Sequence, residues 1–455
     1  MIFNSDVFLF GFLPIVFSLF WTLRGKQARY VLLAISGYVF YGWWNWRYCF
    51  LLLFSSLISF TAGLLLDRSP SPRRQKLIVT TTVAIDLTLL GFFKYFNFLS
   101  SSVRALFPGA PLPLLDVVLP IGISFYTFHT ISYVIDVSHD RVRATHNVWE
   151  YLTYVNLFSQ LVAGPIVRFR QIEGDLANID GPPKEAWVAR GVAMFLFGLA
   201  KKVLIADRIA RHIDPILSSW TGMSFSQAWI AALGYTAQLY FDFSGYSDMA
   251  VGLGLLFGLR IPQNFNSPYR ALGIMDFWRR WHISLSTWLR DYLYFPLGGN
   301  RKGAARTYRN LMIVMVLGGL WHGSSWTFVV WGAYHGLLLI VDRVGQPVYQ
   351  KLPKWIYLGQ TFLLVVVGWV FFRSTSFPMA FHWLKTMVTP TANFNASLPA
   401  LLWTGIGLAG VAFLPEGYDV RFPVRVRWAI AYALVFVFLY MSMNGSETVF
   451  LYYQF

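Results

Sequence analysis

Thirteen apolar segments recur along the chain, at 7–23, 30–46, 48–66, 77–99, 117–137, 149–165, 191–210, 228–258, 310–322, 326–342, 356–373, 399–414 and 428–444. Most approach the roughly 20 residues that a helix needs to cross a bilayer. The stretch 228–258 is long enough for one long helix or two short ones. Basic residues gather in alternate connections: Arg24, Lys26 and Arg29 after the first segment, Arg68, Arg73, Arg74 and Lys76 after the third, and Arg141 and Arg143 within His139–His146. The intervening connection Ser100–Asp116 carries Arg104 as its one basic residue. This alternation predicts an outside residue 1 and cytoplasmic loops near residues 26, 70 and 140. No basic residue precedes Val7–Leu23, so that run reads as an anchor rather than a removable signal. After residue 165, short segments broken by Gly or Pro predict re-entrant or interrupted helices around a polar cavity, because irregular backbone cannot face lipid.

The stretch 260–309 departs from this pattern. It holds nine basic residues (Arg260, Arg270, Arg279, Arg280, Arg290, Arg301, Lys302, Arg306 and Arg309) against Asp276 and Asp291. Trp278, Trp281, Leu285, Trp288 and Leu289 recur between them at helical spacing. The expectation is an amphipathic helix at the cytoplasmic interface, with Trp at the headgroup level and Arg on anionic lipid. The whole of 1–455 reads as one all-α membrane domain, with 276–309 as this interfacial segment.

Composition sharpens the class. Apolar residues make up 56% of the 455, aromatic residues 18% and charged residues only 13%, where a soluble domain carries about 25% charged. An ordinary cytosolic enzyme and a disordered chain are excluded. The 37 Lys and Arg exceed the 21 Asp and Glu by 16. Because the excess lies between apolar runs, it points to membrane lipid and not to nucleic acid. A lone cysteine, Cys49, leaves no internal disulfide and no CxxC metal or redox site.

Chemistry is then sought among polar groups inside apolar tracts, where a charge costs about 2.5–3.5 kcal/mol and polar residues are functional candidates by default. His322 lies in Leu317-Gly-Gly-Leu-Trp-His-Gly323. An apolar setting favours the neutral imidazole, the form that accepts a proton from a hydroxyl, and the glycines permit close approach of a backbone or substrate. A packing histidine is the plainer alternative. His282, in Phe277-Trp-Arg-Arg-Trp-His-Ile-Ser-Leu-Ser286, could orient a donor, assist a base or cap a polar network. His335, 13 residues after His322, reads as a structural or supporting residue more readily than a catalytic one, and His129 as structural. In Gln238-Leu-Tyr-Phe-Asp-Phe-Ser-Gly-Tyr-Ser-Asp248, Gln238 and Asp242 share a helical stripe, with Asp248 to one side. These acids must pair or face a cavity, and the arginines of 260–309 are the candidate partners. A proton path is the competing reading. Asn264, in the turn-rich Pro262–Pro268, is a turn former or a substrate contact. No phosphate loop, GxSxG elbow or HExxH helix occurs, so a transferase with a buried base is easier to defend than a serine hydrolase or a metalloenzyme.

Several blocks together resemble the membrane-bound O-acyltransferase family and, within it, its alginate-type branch. They are Val118–Phe125, Leu161–Arg168, Gln238–Asp248, Asp276–Leu293, Leu297–Gly303 and Leu317–Gly323. The likeness runs from about residue 1 to 375 and is most specific over 276–323. It implies about eleven transmembrane helices, within a range of about 10–13, around a central funnel and tunnel. It also implies transfer of an acetyl or other acyl group from a cytoplasmic thioester such as acetyl-CoA to a hydroxyl on the far side. The family's essential histidine maps onto His322, within a catalytic region 310–342, and its second polar position maps onto His282. Lower-ranked tunnel-lining candidates are Gln238, Asp242, Tyr246, Asp248, Asn264, Arg279, Arg280, Trp321 and His335. No bound cofactor or metal is expected. The expected partners are lipid, the acyl donor and a periplasmic acetyltransferase or acceptor protein, at the bacterial inner membrane. Relatives on this scaffold that acylate peptidoglycan or transfer D-alanine keep the acceptor open, and a proton-coupled transporter is the reading from another class.

Overall fold

A computed structural model describes every residue except 69–70, 350, 392–393, 421, 424–427, 444–449 and 452–455. The described residues form helices and no strand. They divide into two compact units, one of Met1–Phe195, Met249–Pro262 and Phe422–Tyr432, the other of Leu196–Asp248, Gln263–Arg421 and Ala433–Phe455.

The first unit opens with a π-turn over Val7–Phe12 that runs into α1 (Leu13–Thr22). Gly25, at φ +86°, separates α1 from α2 (Lys26–Asn45), a conformation that costs glycine nothing. There follow α3 (Tyr48–Asp67), α4 (Pro72–Leu90), α5 (Phe96–Leu106), α6 (Ile123–Ser138), α7 (Val148–Asn156), α8 (Phe169–Ala177) and α9 (Glu185–Ala200). The α4–α5 run is continuous through a π-turn at Gly91–Tyr95, so the 77–99 segment belongs to a 35-residue helix, Pro72–Leu106. The expected span 117–137 is helical from Ile123 onward, because Pro120 and the left-handed Gly122 (φ +77°) stop the helix from starting earlier. The expected span 149–165 stops as a helix at Asn156. Beyond it the chain turns, and the Gln160 side-chain Nε2 donates to the Tyr154 carbonyl (2.6 Å). Inside this unit Asp86 accepts from Ser55 Oγ (2.7 Å) and Thr130 Oγ1 (2.8 Å), so a buried acid is satisfied by hydroxyls. His129 is buried beside Tyr154.

In the second unit, α10 (Asp207–Ser218) follows a π-turn at Lys201–Ala206. The segment 228–258 is a single helix, α11 (Phe225–Leu256). Then come α12 (Ile274–Arg280), α13 (Ile283–Leu289), α14 (Ala304–His322), α15 (Trp326–Tyr349), α16 (Lys354–Arg373), α17 (Phe377–Val388), α18 (Leu398–Phe413) and α19 (Ala429–Ser442). The expected interfacial amphipathic helix is instead two seven-residue helices and a π-turn. Its indoles do not float at a surface: Trp281, Leu285, Trp288 and Leu289 are buried. The spacing had no way to show that the Trp281–Leu289 face meets protein, while Arg279 and Arg290 stay exposed.

Among the described residues, four helices are long and apolar enough to cross a membrane: Tyr48–Asp67, Pro72–Leu106, Trp326–Tyr349 and Lys354–Arg373. Val7–Thr22, Leu398–Phe413 and Ala429–Ser442 are shorter apolar helices.

Candidate active site

The site lies in the second unit and begins with the crossing of α14 and α15. A Cβ at Gly319 would collide with the Phe328 carbonyl oxygen, and a Cβ at Gly332 with the Met315 carbonyl oxygen. Only glycine lets the two helix backbones approach this closely. A Cβ at Gly323 would strike the Phe328 ring. The glycines flanking His322 thus permit the close packing expected of them, and the partner is protein backbone and ring. His322 ends α14 and is buried. Its imidazole meets Trp321, Trp331 and Phe372 edge-on, with ring centroids 5.1, 5.2 and 5.2 Å away.

The His282 ring lies 6.3 Å from that of His322 and 5.8 Å from that of Trp321. His282 sits at the break between α12 and α13 with φ +44° and ψ +55°. This left-handed conformation is unfavourable for a side chain of its size. Hydrogen bonds hold the break in place. The Ile283 amide donates to the Asn264 carbonyl (2.9 Å), and the Asn266 amide to the Arg280 carbonyl (3.0 Å). The loop 262–268 is thereby laced to the residues around His282.

Asn264 is the centre of this lacing. Its Oδ1 faces the Ser284 amide (3.1 Å), Ser284 Oγ (2.9 Å) and His282 Nδ1 (3.2 Å), and its Nδ2 donates to Ser247 Oγ (3.2 Å). The Ser284 amide can only donate, so the atom it meets must be the oxygen. An oxygen there can only accept, so Nδ1 of His282 carries its proton and Nε2 the lone pair. His282 is wholly buried, and desolvation holds its imidazolium down to a pKa of about 3. The ring is neutral across the physiological range. Two imidazoles this close can both reach one reacting group placed between them.

A cavity of about 210 Å³ opens beside His322, lined by Trp278, Leu285, Leu289, Met315 and Trp331, with Arg290 and Tyr294 among its polar members. His335 contributes from behind. It is buried against Trp278 and Trp331, with 5.2 and 5.0 Å between ring centroids.

Other candidates stand elsewhere. Asp242 pairs with Lys202 (2.6 Å), which also holds Asp207 (2.8 Å). Asp248 pairs with Lys201 (2.7 Å), which lies 3.6 Å from Glu416. The expected arginine partners are therefore corrected to two lysines. Those arginines are otherwise engaged or exposed: Arg280 pairs with Asp276 (3.0 Å), Arg290 with Asp291 (2.8 Å), and Arg279 faces outward. The signal was present in the sequence, since Lys201-Lys202 interrupts the apolar run 191–210 and two such cations require carboxylates. Both acids are thus held in ion pairs with lysines. Tyr246 stacks edge-on against Phe450 (4.6 Å), and Gln238 is buried on α11. The site the structure assembles is therefore His322, His282, Asn264, Trp321 and the unforeseen Trp331 and Ser284. Among the described residues no group of His, Cys, Asp and Glu could hold a metal.

Known proteins share the sequence over most of this chain. A family model described as the membrane-bound O-acyltransferase family matches residues 43–381. A probable alginate O-acetylase of Pseudomonas aeruginosa is 45% identical over 401 residues, covering 85% of this chain and 75% of that protein. A peptidoglycan O-acetyltransferase of Helicobacter pylori is 36% identical over 427 residues (85% and 80%), and a teichoic acid D-alanyltransferase of Bacillus subtilis is 27% identical over 271 residues (55% and 66%). The family-model match over residues 43–381, with 45% identity across most of both chains, makes this chain a member of the membrane-bound O-acyltransferase family.

Proposed function

We propose that this protein is a multi-pass enzyme of the bacterial inner membrane that acetylates an exopolysaccharide. It takes acetyl from a cytoplasmic thioester, acetyl-CoA or an acyl carrier, and passes it to a hydroxyl on the periplasmic side, directly or through an acceptor protein. The observation that carries this reading is the His322 imidazole, which lines a cavity of about 210 Å³ and has the His282 ring 6.3 Å away. That volume corresponds to roughly seven water volumes, room for an acetyl thioester and the start of its arm.

The chemistry needs one base. His322 accepts the proton of the acceptor hydroxyl as its oxygen attacks the thioester carbonyl, then returns it to the departing thiolate. No net proton is gained or lost. His282, neutral and presenting its Nε2 lone pair, positions the hydroxyl. Apolar walls exclude water and so limit hydrolysis of the thioester. Arg301, Lys302 and Arg306, exposed at the start of α14, suit the phosphates of CoA or a phosphopantetheine carrier. The identity to alginate O-acetylases favours an alginate-like polymer, and the weaker identity to the peptidoglycan enzyme makes the glycan strand the second reading.

The test is thioester cleavage and product ester in nanodiscs with acetyl-CoA, offered alginate oligomers or peptidoglycan fragments with and without a periplasmic acceptor protein. Wild type transfers acetyl, and His322→Ala and His282→Ala lose transfer at unchanged thermal stability. Full activity in His322→Ala refutes the base assignment.

A further inference from the structure

Beside His322 stand hydrogen-bond donors that protein leaves unused. Trp331 is buried, and its indole Nε1 finds no acceptor among the described residues. Trp278 Nε1 is in the same state, and neither ring nitrogen of His335 meets a partner. Both indoles line the cavity that His322 also lines. An indole N–H can only donate, and buried indoles ordinarily find an acceptor. A stranded donor disfavours folding unless a ligand satisfies it. Of the two, Trp331 is the nearer to the base: its ring centroid is 5.2 Å from that of His322, and the planes stand at 88°. Trp383 shows the contrast, since its buried Nε1 donates to the Ala228 carbonyl at 3.0 Å.

We propose that the Trp331 indole N–H is the donor for the carbonyl oxygen of the bound thioester and stabilises the oxyanion formed during transfer. This rests on the acyl-transfer reading above. As the acceptor oxygen bonds to the carbonyl carbon, the hydroxyl proton passes to His322 and the carbonyl π pair moves onto oxygen, where the indole N–H meets it. Collapse of that oxyanion re-forms the C=O bond and breaks the C–S bond. The pair on sulfur then takes the proton back from His322. A donor fixed before the reaction, in an apolar cavity, holds this charge far more strongly than water does.

Trp331→Phe keeps the ring and deletes the donor. Single-turnover transfer from acetyl-CoA in nanodiscs is expected to slow by about 10²–10³-fold, with KM for acetyl-CoA within roughly twofold. The melting temperature should hold or rise, because no protein acceptor is lost. Trp383→Phe is expected to do the reverse, lowering the melting temperature while leaving the transfer rate near wild type. Transfer at the wild-type rate in Trp331→Phe overturns the proposal. So does a fall in its melting temperature or a failure to fold, since either means that the donor had a structural partner. An inactive wild type, or an active His322→Ala, would instead sink the acyl-transfer reading itself.

Discussion

Replacing Asn264 separates what it does for the fold from what it does for His282. Asn264→Leu removes the acceptor of the Ser284 amide and the donor to Ser247 Oγ in a buried setting, while Ser284 Oγ can still turn to His282 Nδ1 at 3.4 Å. Two stranded polar groups at about 1–3 kcal/mol each give a loss of about 2–6 kcal/mol, large against the roughly 5–15 kcal/mol that holds a domain folded. Asn264→Asp has a different outcome. Its carboxylate still accepts from Ser284 and Nδ1, and the Ser247 hydroxyl can reverse and donate, so stability should change little. The new charge favours the imidazolium and raises the His282 pKa from its buried value near 3. Wild-type transfer should therefore show no His282 limb between pH 5 and 8, whereas the Asp variant should lose activity as pH falls and recover it as pH rises. The assay is the transfer rate against pH, with thermal unfolding measured in parallel. Identical profiles for wild type and Asn264→Asp, or an Asn264→Leu variant as stable as wild type, would refute the tautomer and packing argument.

Other substitutions, and acid, have outcomes set by the same structure. Lys202→Met should remove the cation that Asp242 and Asp207 share and cost about 3–5 kcal/mol, read as a lower melting temperature, while Arg279→Ala on the exposed surface should stay within about 0.5 kcal/mol of wild type. Gly319→Ala should push α14 off α15 at the Phe328 carbonyl, destabilise by about 1–3 kcal/mol and slow transfer by moving His322, three residues further on. A variant with wild-type rate and stability would show that the crossing can relax. Acid sensitivity carries its own sign. The folded pKa of His282 lies below the unfolded value near 6.5, so the unfolded chain takes up this proton first, and stability should fall as pH drops below about 6.5, with no contribution above it.

Much of this protein was legible in its sequence. Apolar runs of near-bilayer length and alternating basic loops determine a helical membrane protein, since lipid leaves backbone polar groups no other way to be satisfied. A histidine in an apolar tract between glycines marked His322, because burying such a group is costly without a use. Tertiary structure decided what linear spacing cannot carry. Periodicity showed that Trp278, Trp281 and Trp288 share a face, but not that α12 and α13 break at a left-handed His282, which depends on hydrogen bonds from a loop some twenty residues earlier. Charge counting required partners for Asp242 and Asp248, yet the arginines of 260–309 were the wrong choice. A turn of helix about forty residues earlier brings Lys201 and Lys202 into place. The donor state of Trp331 is likewise invisible along the chain, because whether a buried N–H has a partner is a property of the space around it and not of its neighbours in sequence.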